Sequence, residues 1–143
     1  MMTVSAKTEY ACIAMIELAA RYESGQPARL REIVEAQGIP QPFLVQIMAQ
    51  LKAAGLVLTS RGSAGGYRLA QAPDRITLAD IFQVIEGNGD QTESNLQKPT
   101  PATEALCGVW GQISQARTKL LEEVTLANLA ARVAEQPDEM FYI

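Results

Sequence analysis

The chain has 143 residues, of which 48% are hydrophobic and 20% are charged, and its formal net charge is −4; this composition is typical of a folded domain and excludes a disordered chain. The sequence contains no histidine, which excludes Ser-His-Asp and Cys-His catalysis and removes the commonest metal ligand. Its two cysteines are too few for a disulfide framework or an all-cysteine zinc site.

The first 38 residues predict two helices. Residues 8–22 are apolar nearly all round, except for Glu17 and Arg21 at an i,i+4 spacing, so this helix should be largely buried. Residues 29–37 predict a short second helix that stops at Gly38. Its inward side chains are Leu30, Ile33 and Val34.

A third helix follows Pro40 and Pro42, because proline is tolerated in the first turn of a helix. Its apolar stripe consists of Leu44, Ile47, Met48 and Leu51. The opposite face is small or amide-bearing: Gln41, Val45, Gln46, Ala49 and Gln50. Glutamine can pair with adenine and valine can contact a thymine methyl group, so this face is typical of a DNA-reading helix. A plain solvated face is the alternative.

Two short apolar runs, 56–59 and 67–69, enclose a glycine-rich segment and predict a β-hairpin. Helix, helix–turn–helix and hairpin in this order predict a mainly α fold with a small β wing, a winged helix–turn–helix domain. Arg61 beside the glycines suits insertion into a narrow minor groove. The alternatives are an ordinary surface charge and a nucleotide-binding loop, for which the GK[ST] ending is missing.

The second half predicts a fourth helix over 78–86 capped by Thr77, a polar mobile loop over 88–103, a long helix over 104–124, and a last short helix from Thr125. The long helix carries an a/d-spaced seam suited to packing on another helix. This seam consists of Leu106, Val109, Ile113, Ala116 and Leu120. We therefore predict a DNA-binding domain over 1–75 and an effector loop with dimerisation helices over 76–143.

Charge is distributed unevenly between these two parts. Residues 1–75 contain eight basic and six acidic side chains, whereas residues 76–143 contain four basic and ten acidic ones. A mildly basic first part fits nucleic acid. The start of the chain lacks a signal-peptide pattern, and the most apolar stretch, 10–20, is shorter than the roughly 20 residues of a membrane span. We expect a cytoplasmic protein with no membrane association.

Several segments resemble one known family. They are KTEYA at 7–11, IPQPFL at 39–44, LKAAGLV at 51–57, RGSAGGY at 61–67, ITLADI at 76–81 and the helix around Trp110. Together they are similar to the Rrf2 family of bacterial winged-helix transcription regulators, over about residues 4–129. The RGSAGGY segment, in register with the others, is the most specific of them.

The resemblance implies a homodimeric transcription regulator, expected to be a repressor, on a palindromic site in double-stranded DNA. It places Pro40, Pro42, Phe43, Val45 and Gln46 at the recognition helix and Arg61 in the minor groove. With the cations expected at phosphates, the predicted DNA-binding residues are Lys7, Arg29, Arg31, Gln41, Pro42, Phe43, Val45, Gln46, Lys52, Arg61, Gly62, Gly65, Gly66 and Arg68. Val45 stands where the family's iron–sulfur regulator has a base-reading glutamate, so the target sequence should differ.

The family's cluster-binding members carry three cysteines in the loop and at the start of the long helix, whereas residues 88–103 contain none here. The resemblance leaves Cys107, Glu104, Glu9 and Cys12 as candidate ligands of an iron–sulfur cluster, which usually needs four thiolates. We therefore expect no bound cofactor, and an iron–sulfur-responsive sensor that uses Cys107 is an alternative. A redox switch at Cys107, which we expect at the helix start, and control by a protein partner remain alternatives. No base, nucleophile and orienting group converge, so an enzyme is not expected.

Overall fold

A computed structural model describes residues 4–62, 65–87 and 94–136 of the chain. The described residues form six α-helices, two short 3₁₀ helices and one two-stranded antiparallel sheet. Their bounds are α1 Ala6–Ala20, α2 Leu30–Gln37, α3 Gln41–Ala53, β1 Val57–Ser60, β2 Gly66–Leu69, α4 Leu78–Glu86, α5 Pro101–Glu123 and α6 Leu126–Glu135. The predicted mainly α fold with a small hairpin is confirmed. The predicted loop over 88–93 and the end of the chain after Gln136 lie outside the described residues.

Two helices differ clearly from the prediction: α1 spans Ala6–Ala20 rather than 8–22, and α5 starts earlier than expected. Helix α5 begins at Pro101, three residues before the predicted start at Glu104. The Thr100 hydroxyl accepts a hydrogen bond of 3.1 Å from the amide of Thr103, and proline occupies the first helical position. The segment 101–103 is therefore helical rather than part of the loop, and Cys107 lies in the second turn rather than at the helix start.

The core lies around α1, which packs against α2, α3, α4, α6 and β2. All four predicted stripe residues of α3 are fully buried, and so are Ala11, Ala14 and Met15 of α1. Ile76, Ile81 and Leu126 belong to the same cluster of buried side chains. Residues 1–75 and residues 76–143, predicted to differ in function, therefore contribute side chains to one core. The functional boundary near residue 75 stays a prediction.

The backbone at the junction between α5 and α6 pairs with the segment between the wing and α4. The Leu78 amide donates a hydrogen bond of 2.9 Å to the Val124 carbonyl, and the Leu126 amide donates one of 2.9 Å to the Ile76 carbonyl. This short backbone pairing brings α6 against α1. Leu126 fills the core there, with none of its surface exposed.

Helix α5 has no buried residue, in contrast to the other five α-helices of the described part. Its apolar side chains are between 45% and 64% exposed: Leu106, Val109, Trp110, Ile113 and Leu120. The predicted seam is therefore open to solvent in the single chain. None of the helices in the described part is long and apolar enough to cross a membrane.

Candidate nucleic-acid interface

Helices α2 and α3 form the helix–turn–helix, and α3 divides cleanly into a buried and an exposed face. The turn between them begins at Gly38, whose positive φ of 70° ends α2 in the left-handed region. Gln41, Pro42, Phe43, Val45 and Gln46 are all exposed. Gln50 is only partly exposed, and its amide oxygen is buried without a hydrogen-bond partner among the described residues. The exposed glutamines and Val45, the open face of α3, thus lie in its first two turns, and Ala49 and Lys52 are exposed positions of the next turns.

The amino end of α3 suits a phosphate group. Its N-cap, Pro40, provides no side-chain hydrogen bond, and the first turn contains no acidic residue. The amides of a helix's first turn have no partner within the helix, and the helix dipole adds positive potential at this end. An anion bound here would satisfy donors that the chain itself leaves uncapped.

Phe43 is fixed by a contact that the sequence gave no reason to expect. Its ring meets the Tyr10 ring edge-on, with centroids 5.6 Å apart and an interplanar angle of 73°. Phe43 remains 43% exposed. The residue therefore joins the first turn of α3 to α1 while it still presents part of its surface to a partner.

The wing carries Arg61 at the end of its first strand. The strands pair from Val57 opposite Leu69 to Ser60 opposite Gly66. Arg61 and Gly62 are exposed, and Arg61 forms no ion pair with any residue in 4–62, 65–87 or 94–136. Its charge is therefore available for a phosphate or for the negative potential of a minor groove.

Gly65 and Gly66 have a packing role next to this arginine. A Cβ atom on Gly65 would overlap the Ser60 carbonyl oxygen, and one on Gly66 would lie 2.5 Å from the Ala28 carbonyl oxygen. Gly65 is buried and Gly66 partly buried. The close approach of neighbouring backbone explains why both positions lack side chains.

The predicted phosphate-contacting cations are mostly without ion pairs. Arg31 lies 3.1 Å from Glu35, in an exposed pair that contributes little to stability. The other four, Lys7, Arg29, Lys52 and Arg68, form no ion pair within the described part of the chain. Lys7 is partly exposed and the other three are exposed.

The predicted Glu17–Arg21 pair is confirmed at 3.1 Å, and Arg21 also reaches Glu32 at 3.1 Å. A hydrogen bond from the Arg29 amide, followed in importance by the one from Arg21, lowers the pKa of Glu32. Glu32 thus joins α1 to the start of α2. This contact orients the helix–turn–helix and uses Arg21 for structure rather than for DNA.

The four candidate metal ligands do not come together as a cluster site. No group of three or more His, Cys, Asp or Glu residues that could hold a metal occurs among residues 4–62, 65–87 and 94–136. Burial, together with the charge of Glu86, raises the pKa of the Cys12 thiol to about 12. A protonated thiol is a poor metal ligand. The residues present therefore do not fit an iron–sulfur cluster held within one chain.

The sequence model described as "Rrf2: Iron-dependent Transcriptional regulator" matches residues 4–132. The chain belongs to the Rrf2 family. Family membership makes it a DNA-binding transcription regulator, and not an enzyme. The resemblance found in the sequence is thereby confirmed.

Individual relatives of this Rrf2 protein agree in sequence and in structure. The HTH-type transcriptional regulator CymR of Bacillus subtilis is 38% identical over 143 residues, which cover 99% of this chain and 100% of that protein. The HTH-type transcriptional regulator IscR of Aliivibrio salmonicida is 32% identical over 130 residues, which cover 90% of this chain and 77% of that protein. The structure of CymR, the global cysteine regulator of B. subtilis, has a TM-score of 0.79 at 35% sequence identity. The match covers 92% of this chain and 98% of that one. The structure of T. potens IscR has a TM-score of 0.77 at 32% sequence identity. The match covers 99% of this chain and 97% of that one.

Proposed function

We propose that this Rrf2 protein is a cytoplasmic repressor that binds a palindromic operator as a homodimer. The observation that carries the proposal is the open face of α3, which is uncharged, uncapped and exposed, beside a wing whose arginine has no ion-pair partner in the described part of the chain. In this arrangement α3 enters the major groove and Arg61 the adjacent minor groove.

Base reading is assigned to Gln41, Val45 and Gln46. Glutamine donates to and accepts from the adenine edge, whereas Val45, 51% exposed, offers only an apolar surface to a thymine methyl group. A site read by these side chains should favour A·T pairs at the positions facing α3. Phe43, already held by Tyr10, orients the first turn rather than recognising a base.

Phosphate contacts are assigned to Lys7, Arg29, Arg31, Lys52 and Arg68, and Gly62 gives the wing tip room to approach the DNA. Such contacts set the register on the duplex and contribute affinity without sequence information. The net charge of the whole chain, −4, does not oppose this assignment because the acidic excess lies after residue 75.

Dimerisation is assigned to α5. A solvent-exposed apolar stripe on a long helix is unfavourable in a monomer, and covering it with the same stripe of a second copy removes that surface from water. Residues 76–143 would then place two copies of α3 at the spacing of successive major grooves, as a palindromic site requires.

The test is selection of DNA duplexes by the purified protein from a random pool, followed by affinity measurements on the selected duplex and a scrambled one. Gln46→Ala should relax the preference at one position in each half-site while binding to the scrambled duplex changes little. Lys52→Ala should weaken both duplexes alike and reduce the salt slope by about 1. Failure of the wild-type protein to select any sequence would refute the proposed function.

A further inference from the structure

Thr8 is the one fully buried polar residue in the described part of the chain. Its hydroxyl donates a hydrogen bond of 2.8 Å to a carboxylate oxygen of Glu86, the last residue of α4. The Ser5 hydroxyl in turn donates one of 2.8 Å to the Thr8 oxygen. A buried hydroxyl bound to a charged acceptor is a strong link, and losing the acceptor leaves the hydroxyl unsatisfied.

Glu86 connects the same hydroxyl to the long helix. Its second carboxylate oxygen lies 3.5 Å from a guanidinium nitrogen of Arg117, in the fifth turn of α5. The Arg117 guanidinium also lies over the Phe82 ring, 5.3 Å from its centroid. Both charged side chains are about three-quarters buried. An ion pair with Glu86 and a cation–π contact with Phe82 therefore hold Arg117 against α4.

The first turns of α1 make contacts on two sides of the helix. Thr8 and Tyr10 are two positions apart, so they project about 200° apart around the helix. Thr8 meets Glu86 on one side, whereas Tyr10 meets Phe43 of α3 on the other. A displacement of Glu86 would therefore be passed through a single helical turn to the first turn of α3.

We propose that Glu86 is a positioning residue for DNA recognition, which links α5 to the first turn of α3 through Thr8, Tyr10 and Phe43. The inference rests on the proposed function, because it assigns base reading to that turn. Glu86 touches no DNA in this scheme. Its hydrogen bond with Thr8 sets the position of the α1 turn whose Tyr10 contacts Phe43. Its ion pair with Arg117 couples that position to α5.

The variants Thr8→Val, Thr8→Ser and Glu86→Ala test the link, with Glu122→Ala as a control because Glu122 is exposed on α5 and forms no ion pair among the described residues. Valine has the shape of threonine without the hydroxyl, and serine keeps the hydroxyl. The probes are the duplex selected by the wild-type protein and its scrambled counterpart. Urea unfolding establishes that each variant is folded under the binding conditions.

Thr8→Val should weaken binding to the selected duplex about tenfold and to the scrambled duplex less than about twofold. Thr8→Ser should restore the preference, and the control should keep it. The double variant Thr8→Val/Glu86→Ala should lose no more than Thr8→Val, because both changes break the same link between Thr8 and Glu86. A merely structural role would weaken both duplexes together, through loss of folded protein.

Hydrogen exchange provides a readout that needs no DNA. Thr8→Val and Glu86→Ala should each accelerate amide exchange in residues 44–47 relative to the α6 amides, whereas Glu122→Ala should not. An unchanged duplex preference together with unchanged exchange in folded Thr8→Val would overturn the inference. If Thr8→Val does not fold, Glu86→Ala alone decides the outcome by the same two measurements. A wild-type protein that selects no duplex refutes the proposed function instead, and the inference falls with it.

Discussion

Ala28 and Tyr67 exchange two backbone hydrogen bonds, of 2.8 Å from the Ala28 amide and 2.7 Å from the Tyr67 amide. Ala28 lies just before α2, and Tyr67 lies in the second strand of the wing. The chain thus adds a short third segment to the hairpin and fastens the wing to the helix–turn–helix. Arg61 and the open face of α3 are therefore held in a fixed relation, which a protein needs to engage adjacent grooves at once.

Arg61→Ala should weaken binding to the selected duplex by roughly 1–3 kcal/mol, since it removes the cation assigned to the minor groove. Arg132→Ala is the matched control, because Arg132 is an exposed arginine on α6. Fluorescence anisotropy titrations of both variants measure the effect. Equal losses for the two variants would show that Arg61 contributes only general charge.

Gly66→Ala should destabilise the wing, since the added methyl group would lie 2.5 Å from the Ala28 carbonyl oxygen. We expect a loss of about 1–3 kcal/mol in the free energy of unfolding, as for other overpacked sites. Urea denaturation followed by circular dichroism gives the value. A variant with wild-type stability would contradict the tight contact between the wing and residue 28.

Ile113→Glu should separate the proposed dimer into monomers, since it places a charge in the middle of the exposed α5 stripe. The dimer dissociation constant should rise at least about tenfold. Gln115→Glu adds the same charge at an exposed position about 200° around the helix from Ile113, and should have little effect. Sedimentation velocity over a concentration series distinguishes the two variants. Dissociation of both, or of neither, would argue against a dimer through this stripe.

The two cysteines should differ in reactivity at pH 8. Cys12, with its pKa raised to about 12 by burial and by the charge of Glu86, should react with iodoacetamide at least about a hundredfold more slowly than a thiol of ordinary pKa. Cys107 is partly exposed and should be modified first. Peptide mass spectrometry of native and urea-unfolded protein locates the adducts. Fast labelling of Cys12 in the native protein would show that the thiol is accessible.

The same pKa shift predicts how stability depends on alkaline pH. Between pH 9 and about 12 the unfolded chain releases the Cys12 proton while the folded chain keeps it, so the free energy of unfolding falls as pH rises. Below pH 9 this contribution is fully present. Cys12→Ala should therefore flatten the decline above pH 9 in urea titrations, and an unchanged slope would refute the shift.

Much of the fold follows from local sequence signals. The spacing of Leu44, Ile47, Met48 and Leu51 predicted the buried face of α3, and all four are inaccessible to solvent. Thr77 and Gly87 predicted the ends of α4, whose bounds agree with the expectation. The predicted start of α5 was wrong because the cap formed by Thr100 and Thr103 lies in a polar segment that lacks an apolar period.

The contacts around the site could not be predicted in this way. Thr8 and Glu86 are 78 positions apart, and no periodicity in either segment indicates that they meet. The sequence predicts an apolar position for Tyr10 and a DNA contact for Phe43, and it does not indicate that the two rings meet. Edge-on ring packing depends on how α1 and α3 cross. The packing role of Gly65 and Gly66 was hidden for a similar reason, since the backbone they approach belongs partly to residue 28.

The position of Leu126 has a consequence for how the protein forms in the cell. This side chain, which follows the end of α3 by more than 70 residues, completes the core around α1, and the strand-like pairing at 76–78 and 124–126 holds it there. Synthesis proceeds from the amino end, so the helix–turn–helix emerges from the ribosome long before its core can close. A nascent chain should therefore acquire a stably folded helix–turn–helix only after α5 and the start of α6 have been synthesised.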